Sequence, residues 1–322
     1  MQAWEPWEGY GWLLDTLGRS DGATALAYVR RAYTLSPLDT YVAGALAERL
    51  LALGAREQVR GMALMLSSGG YPVHRVASDL LLVRVDASEA RFRVALDRAR
   101  RAMQIATDDA GWVRVQRLDI AWRALEITEL LGGTATAELA DLIVERFLDP
   151  EPPPLDGAYL EVSVRIPAIC ARASAEVAGR CFARFRALRN HLSGGILPET
   201  DAFTEGAERY TRGDFKGAAR AWRPLLKEPA VFAAVMSEAM ATTFERTGES
   251  NLVERLMAAV PDSSAEMHGA SLAFVRAARW AARHGDRDKA RILARKVIEA
   301  WSVADEPVPA VEEMRRLVAS LE

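Results

Sequence analysis

Small and apolar residues recur along this chain at helical spacing. Ala218, Trp222 and Leu225 stand four and three residues apart, and Ala290, Ala294 and Val297 repeat the interval. So do Val59, Ala63 and Leu66, and Ala25, Val29 and Ala32. Residues at i, i+4 and i+7 share one face of an α-helix, so each set predicts an amphipathic helix buried along a narrow stripe. A further stripe, Ala95, Ala99 and Ala102, predicts a helix over about 89–105, with Val73 to Val85 as its partner. Trp112 to Leu131 and Thr136 to Leu148 read as another pair around Gly132-Gly133.

Glycines punctuate these stripes. In the stretch 202–229, Gly206 is followed seven residues on by Gly213-Asp214-Phe215, and Ala218 comes five residues after Gly213. Glycine ends a helix in a backbone conformation that other residues avoid, and an aspartate after it can cap the next helix. The same order recurs with Gly248 before Val253 and Met257, and with Gly285-Asp286 before Ala290, so the turn glycines fall 35 and 37 residues apart. Near the start, Ser20 stands where the turn glycine would be, and Gly54 follows 34 residues later. The helix of Ala95 has no turn glycine before it.

This arrangement resembles the tetratricopeptide repeat, whose unit is a helix hairpin of about 34 residues. The resemblance is strong over 199–302 and 5–69 and rests only on helix-pair length between them. It implies an all-α fold, a right-handed α-solenoid of about eight helix pairs. Val308 to Leu321 would form a capping helix that shields the open end of the stack. In that register Gly206 admits a close approach of two helices, Ala218 is the small contact facing it, and Trp222 and Leu225 fill the space toward the next pair. The closing stretch 297–307 also looks similar to the end of the repeat region behind bacterial serine/threonine kinases.

Glu151-Pro152-Pro153-Pro154 breaks the pattern. Proline cannot continue a helix, so three regions are expected: an N-terminal block 1–149, a connection with an irregular pair 150–198, and a C-terminal block 199–322. Within the middle region Pro167 allows a kinked helix or a short extended piece. Pro224 should kink its helix.

Solenoids of this kind take ligands on the concave surface lined by the first helix of each pair. The resemblance places Trp7, Tyr10, Leu14, Tyr41, Glu48, Phe203, Tyr210, Glu238, Glu245, Arg279 and Arg283 there. Aromatic anchors with charges of both signs suit a protein or peptide partner. The Lys and Asn set with which some of these repeats clamp chaperone C-termini has no counterpart here. The plainer alternative is that several of these aromatics pack between helices. An interaction scaffold or adaptor in a bacterial signalling system is the leading expectation. A regulatory segment of a larger kinase, an α-helical enzyme with an unrecognised site, and an RNA-binding helical repeat are the alternatives.

Charge supports this ordering. The chain has 41 basic and 44 acidic residues, interspersed, for a formal charge of −3, which gives no basic field for nucleic acid. Arg180 and Arg184 share a helix face and could meet phosphate, but a solvated surface is favoured. His74, His191, His268 and His284 have no partners at helical spacing, Asp108-Asp109 diverge on adjacent positions, and Ser68 and Ser193 lack a nearby His–Asp arrangement. No metal, cofactor or catalytic residue is therefore expected. Gly69-Gly70, Gly132-Gly133 and Gly194-Gly195 read as turns. Cys170 and Cys181 fit neither metal-ligand spacing nor a disulfide framework and are expected to be small core residues in a reducing compartment. Residues 1–10 have no apolar signal core and no segment is long enough to insert in a membrane, so a cytoplasmic protein is expected.

Overall fold

The computed structural model describes residues 22–105, 111–133, 135–148, 159–191, 199–227, 230–258 and 272–321. Trp7, Tyr10, Leu14 and the proline run 152–154 lie outside them. Every regular element among the described residues is helical: α1 (Gly22–Leu35), α2 (Thr40–Ala52), α3 (Arg56–Ser67), α4 (Pro72–Ser88), α5 (Phe92–Gln104), α6 (Gly111–Leu130), α7 (Thr136–Ile143), α8 (Tyr159–Cys170), α9 (Ala175–His191), α10 (Thr200–Thr211), α11 (Phe215–Trp222), α12 (Ala230–Arg246), α13 (Ser250–Ala258), α14 (Ala273–Arg283), α15 (Arg287–Trp301) and α16 (Pro309–Ser320). A π-helical turn, Val144–Leu148, extends α7, and a 3-10 turn, Arg223–Lys227, follows α11. Pro224 thus tightens the end of a helix where a kink was expected. Pro167 is carried inside α8, and its carbonyl accepts from the Ala171 amide at 3.0 Å.

Each even-numbered helix from α2 to α14 packs on the odd-numbered helix after it, and consecutive even-numbered helices from α2 to α14 also touch. In this row helix α8 touches α12 as well as α10. Among the described residues, one apolar core joins buried side chains from Val76 of α4 to Met314 of α16, and a second joins α1 to α4 from Leu26 to Val85.

Hairpin turns of one design join most of the pairs. Gly213 has φ +75°, and beyond it the Asp214 amide reaches back to the Arg209 carbonyl at 2.9 Å. This bond satisfies a carbonyl orphaned at the helix end, and only glycine enters that conformation without a steric cost. Asp214 then accepts the Gly217 amide at 2.9 Å and caps α11, as Asp286 caps α15 through Lys289. At the α4–α5 turn the glycine position is filled by Ala90, at φ +57°, with the Arg91 amide on the Asp86 carbonyl at 2.9 Å. The turn therefore exists where no turn glycine marks it.

The α8–α9 hairpin is the exception, and it is held covalently. Cys170 and Cys181 form a disulfide across a Cα separation of 5.5 Å, with both residues buried. This corrects the expectation of two free core thiols, and the cysteines no longer argue for a reducing compartment. Eleven residues of separation place one cysteine at the end of α8 and the other in the second turn of α9, which only the hairpin brings together.

Gly206 also differs from expectation. The atoms nearest to a Cβ placed there belong to the Trp222 indole, the closest at 2.2 Å, and not to Ala218. The indole Nε1 donates to the Phe203 carbonyl at 3.0 Å, so Trp222 helps to close its own helix pair. No helix of the described residues is long and apolar enough to cross a membrane.

Candidate functional site

The charged residues buried among the described residues, Asp86, Arg117, Asp119, Glu208 and Arg276, all lie on even-numbered helices. Helix α6 is buried along most of its described side chains yet carries Asp119, Arg123, Glu126 and Glu129 at spacings of four, three and three. Those spacings put the four on one face. Asp119 is 4% exposed and is held between Arg84 of α4 and Arg165 of α8, the latter at 2.6 Å, while Arg123 pairs with Glu126 at 2.9 Å. Burial alone would raise the Asp119 carboxyl, but the guanidinium groups of Arg165, Arg84 and Arg123 outweigh it and hold it well below its ordinary value. Glu126 shows the opposite balance. Burial raises its pKa despite Arg123, Arg165 and Arg172, and the Asp119 charge adds to the rise.

Arg172, just beyond α8, joins α6 to α12. Its Nε and Nη2 donate to the two oxygens of Glu129 at 2.9 and 3.0 Å, and Nη2 also donates to the Val235 carbonyl of α12 at 3.1 Å. The guanidinium lies over the Trp122 ring, 5.1 Å from its centroid. A planar fork is suited to this combination of bidentate pairing and stacking. The middle of the row is thus filled by the protein's own side chains.

Toward the C-terminus the row becomes more open. Arg276 of α14, itself buried, pairs with Glu238 and with Glu245 of α12, the latter at 3.0 Å. Arg283 reaches Glu245 at 3.3 Å, and Arg279 forms a forked pair with Glu313 of α16. Hydrogen bonding to Arg279 lowers the Glu313 pKa against the effect of burial, and the same bond raises that of Arg279. Tyr210 packs its ring against Trp222 and Phe215. Burial raises its phenol pKa, and the charge of Glu238 adds to the rise.

Of the residues chosen for a binding surface, Glu238, Glu245 and Arg283 are joined by ion pairs through Arg276, and Tyr210 and Arg279 lie within electrostatic reach of Glu238. Tyr41 and Glu48 are exposed on α2, on the part of the fold built around the other core. Phe203 is fully buried and is not part of any surface, because its ring faces the core while its carbonyl receives Trp222. Asp119, Arg165, Arg172 and Arg276 were not singled out from the sequence. The available signal was charge at helical spacing inside helices otherwise apolar on that face.

Arg180 pairs with Glu176 at 3.3 Å and Arg186 pairs with Glu208, so α9 presents partly neutralised charges. A cleft of about 520 Å³ beside it is lined by Arg186, Glu205, Glu208, Arg209, Arg212 and Asp214, among others, with the two signs interleaved. Among the described residues, no three of His, Cys, Asp and Glu are placed to hold a metal ion together. No protein-family model matches the chain, and no curated protein matches it significantly.

Proposed function

We propose that this chain is a non-catalytic interaction module, a right-handed solenoid of tetratricopeptide-like pairs that takes a protein or peptide on its even-numbered helices. The observation that carries this reading is the group formed by Tyr210, Glu238, Glu245, Arg279 and Arg283. Its outer members are open to solvent: the Glu238 and Arg283 side chains are 52% and 54% exposed. The Arg283–Glu245 pair is of the exposed kind that contributes only about 0–1 kcal/mol to stability, so Arg283 can re-pair with a partner's charge at small net cost, while Glu238 stays anchored by the buried Arg276 and presents its exposed side. Such groups select partners and speed encounter more than they add affinity, while a half-buried tyrosine supplies the aromatic anchor. An adaptor role in a signalling system fits this chemistry.

The test is capture with the full chain and with a Glu238→Gln, Arg283→Gln double variant whose melting point matches wild type. A protein recovered in stoichiometric amount by wild type, and reduced about tenfold or more by the double variant, supports the reading. Equal capture by both moves the binding surface elsewhere. Recovery that disappears with nuclease and falls steeply with salt would identify an RNA-binding repeat instead.

A further inference from the structure

The end of the chain does not stop at the last helix pair. Between α15 and α16 the chain crosses back to the α4–α5 turn, 212 residues away in sequence. The Asp305 carboxylate accepts the amides of Arg93 and Val94 at 3.0 and 3.3 Å, and the Asp305 amide donates to the Ala90 carbonyl at 3.2 Å. Glu306 stands 3.9 Å from Arg93, and a Cβ on Gly132 would lie 3.1 Å from the Pro309 ring. Helix α16 was expected to shield an open end. The segment before it ties that end to the α4–α5 turn.

We propose that residues 302–309 form a strap that clips the C-terminal helices to the α4–α5 turn and releases as a unit while the helix pairs stay folded. Helix α5 depends on this segment for its start, because Arg91 at its N-cap provides no side-chain hydrogen bond. Two of the orphan amides of its first turn are satisfied only by Asp305. The contact is polar and exposed, so water can replace each bond at small net cost. Ser302, Val303 and Pro307 are exposed as well, and only Val308 of the segment is buried. Among the described residues no helix of α14 to α16 packs broadly on α4 to α7, so this end is held to them mainly by the segment itself, through its polar contacts and the buried Val308. Ala90, which receives the strap, sits in a left-handed conformation that costs an alanine energy and a glycine none. Release would let α14 and α16, with Arg276, Arg279, Arg283 and Glu313, move relative to Arg84 and Asp119. The strap thereby sets the span between the two ends of the charged row, whether or not a partner is found.

Three amides report on the strap, those of Arg93, Val94 and Asp305, because their acceptors lie across it. Native-state hydrogen exchange of the full chain in low urea should show all three opening together with little urea dependence. Their protection should be about a hundredfold or more below that of α10 and α11. Asp305→Ala should abolish the protection of Arg93 and Val94, leave residues 97–104 protected, and enlarge the radius of gyration in solution scattering. The proposal is overturned if the three amides exchange only with global unfolding, or if they exchange at unrelated rates. A scattering profile of Asp305→Ala identical to wild type also overturns it. Should that variant fail to fold, the wild-type urea series decides the matter alone.

Discussion

Gly206→Ala and Gly61→Ala are the same substitution inside a helix, and the structure predicts opposite signs. Replacing a mid-helix glycine by alanine adds about 1 kcal/mol of helix propensity at either position. A Cβ at Gly61 would have no neighbour within 4 Å, so that gain should appear nearly whole. At Gly206 the new Cβ would lie 2.2 to 2.6 Å from three atoms of the Trp222 indole, a ring with no solvent exposure and no room to withdraw. Forcing an extra carbon into such a core costs about 1–3 kcal/mol, and displacing the indole also weakens its bond to the Phe203 carbonyl, about 1 kcal/mol more. After the propensity gain is subtracted, Gly206→Ala should destabilise by about 1–3 kcal/mol. Urea unfolding followed by circular dichroism, with tryptophan fluorescence as a second probe, measures both variants against wild type. A Gly206→Ala midpoint equal to or above wild type would refute the packing of Trp222 described here.

Cys170→Ser with Cys181→Ser should lower stability by about 3 kcal/mol, the chain-entropy estimate for so short a loop; two titratable thiols in the native unreduced protein would show that the bond is absent. Ala218→Leu should cost about 1–3 kcal/mol through overpacking, read as a lower melting point, since Ala218 is fully buried. Glu126 has a raised folded pKa, so the folded state binds its proton more tightly than the unfolded chain does. Its contribution therefore grows as pH falls through the folded value and is complete below the ordinary value of about 4.3. Asp119, with its depressed pKa, contributes stability above about 3.9 that is lost on further acidification. Glu126→Gln should accordingly raise the urea midpoint at pH 7 and flatten the rise that acidification through the raised Glu126 value produces in wild type; a pH profile identical to wild type would count against the buried cluster.

Helix identity and most hairpin turns could be read from local pattern. A stripe such as Ala218, Trp222 and Leu225 has one helical interpretation, and Gly213-Asp214 carries both the end of one helix and the cap of the next in adjacent residues. These signals are local because backbone conformation and first-turn hydrogen bonds involve residues only a few positions apart. Part of the charged group was legible in the same way, since Glu238 and Glu245, and Arg279 and Arg283, repeat along single helix faces. What that periodicity leaves open is which neighbour each face meets. Phe203 and Tyr210, one helical repeat apart, went to the core and to a half-buried edge according to where Trp222 lies. Ala90 took a glycine's conformation because the helices on either side of it required that turn. Arg172 became a hub because Glu129, Trp122 and Val235, scattered over more than a hundred residues, converge where α8 touches α12. The Cys170–Cys181 bond and the capping of α5 by Asp305 have the same origin. Each joins groups whose separation in space is fixed by how the hairpins pack, and that information is spread over the whole chain rather than held in any one segment.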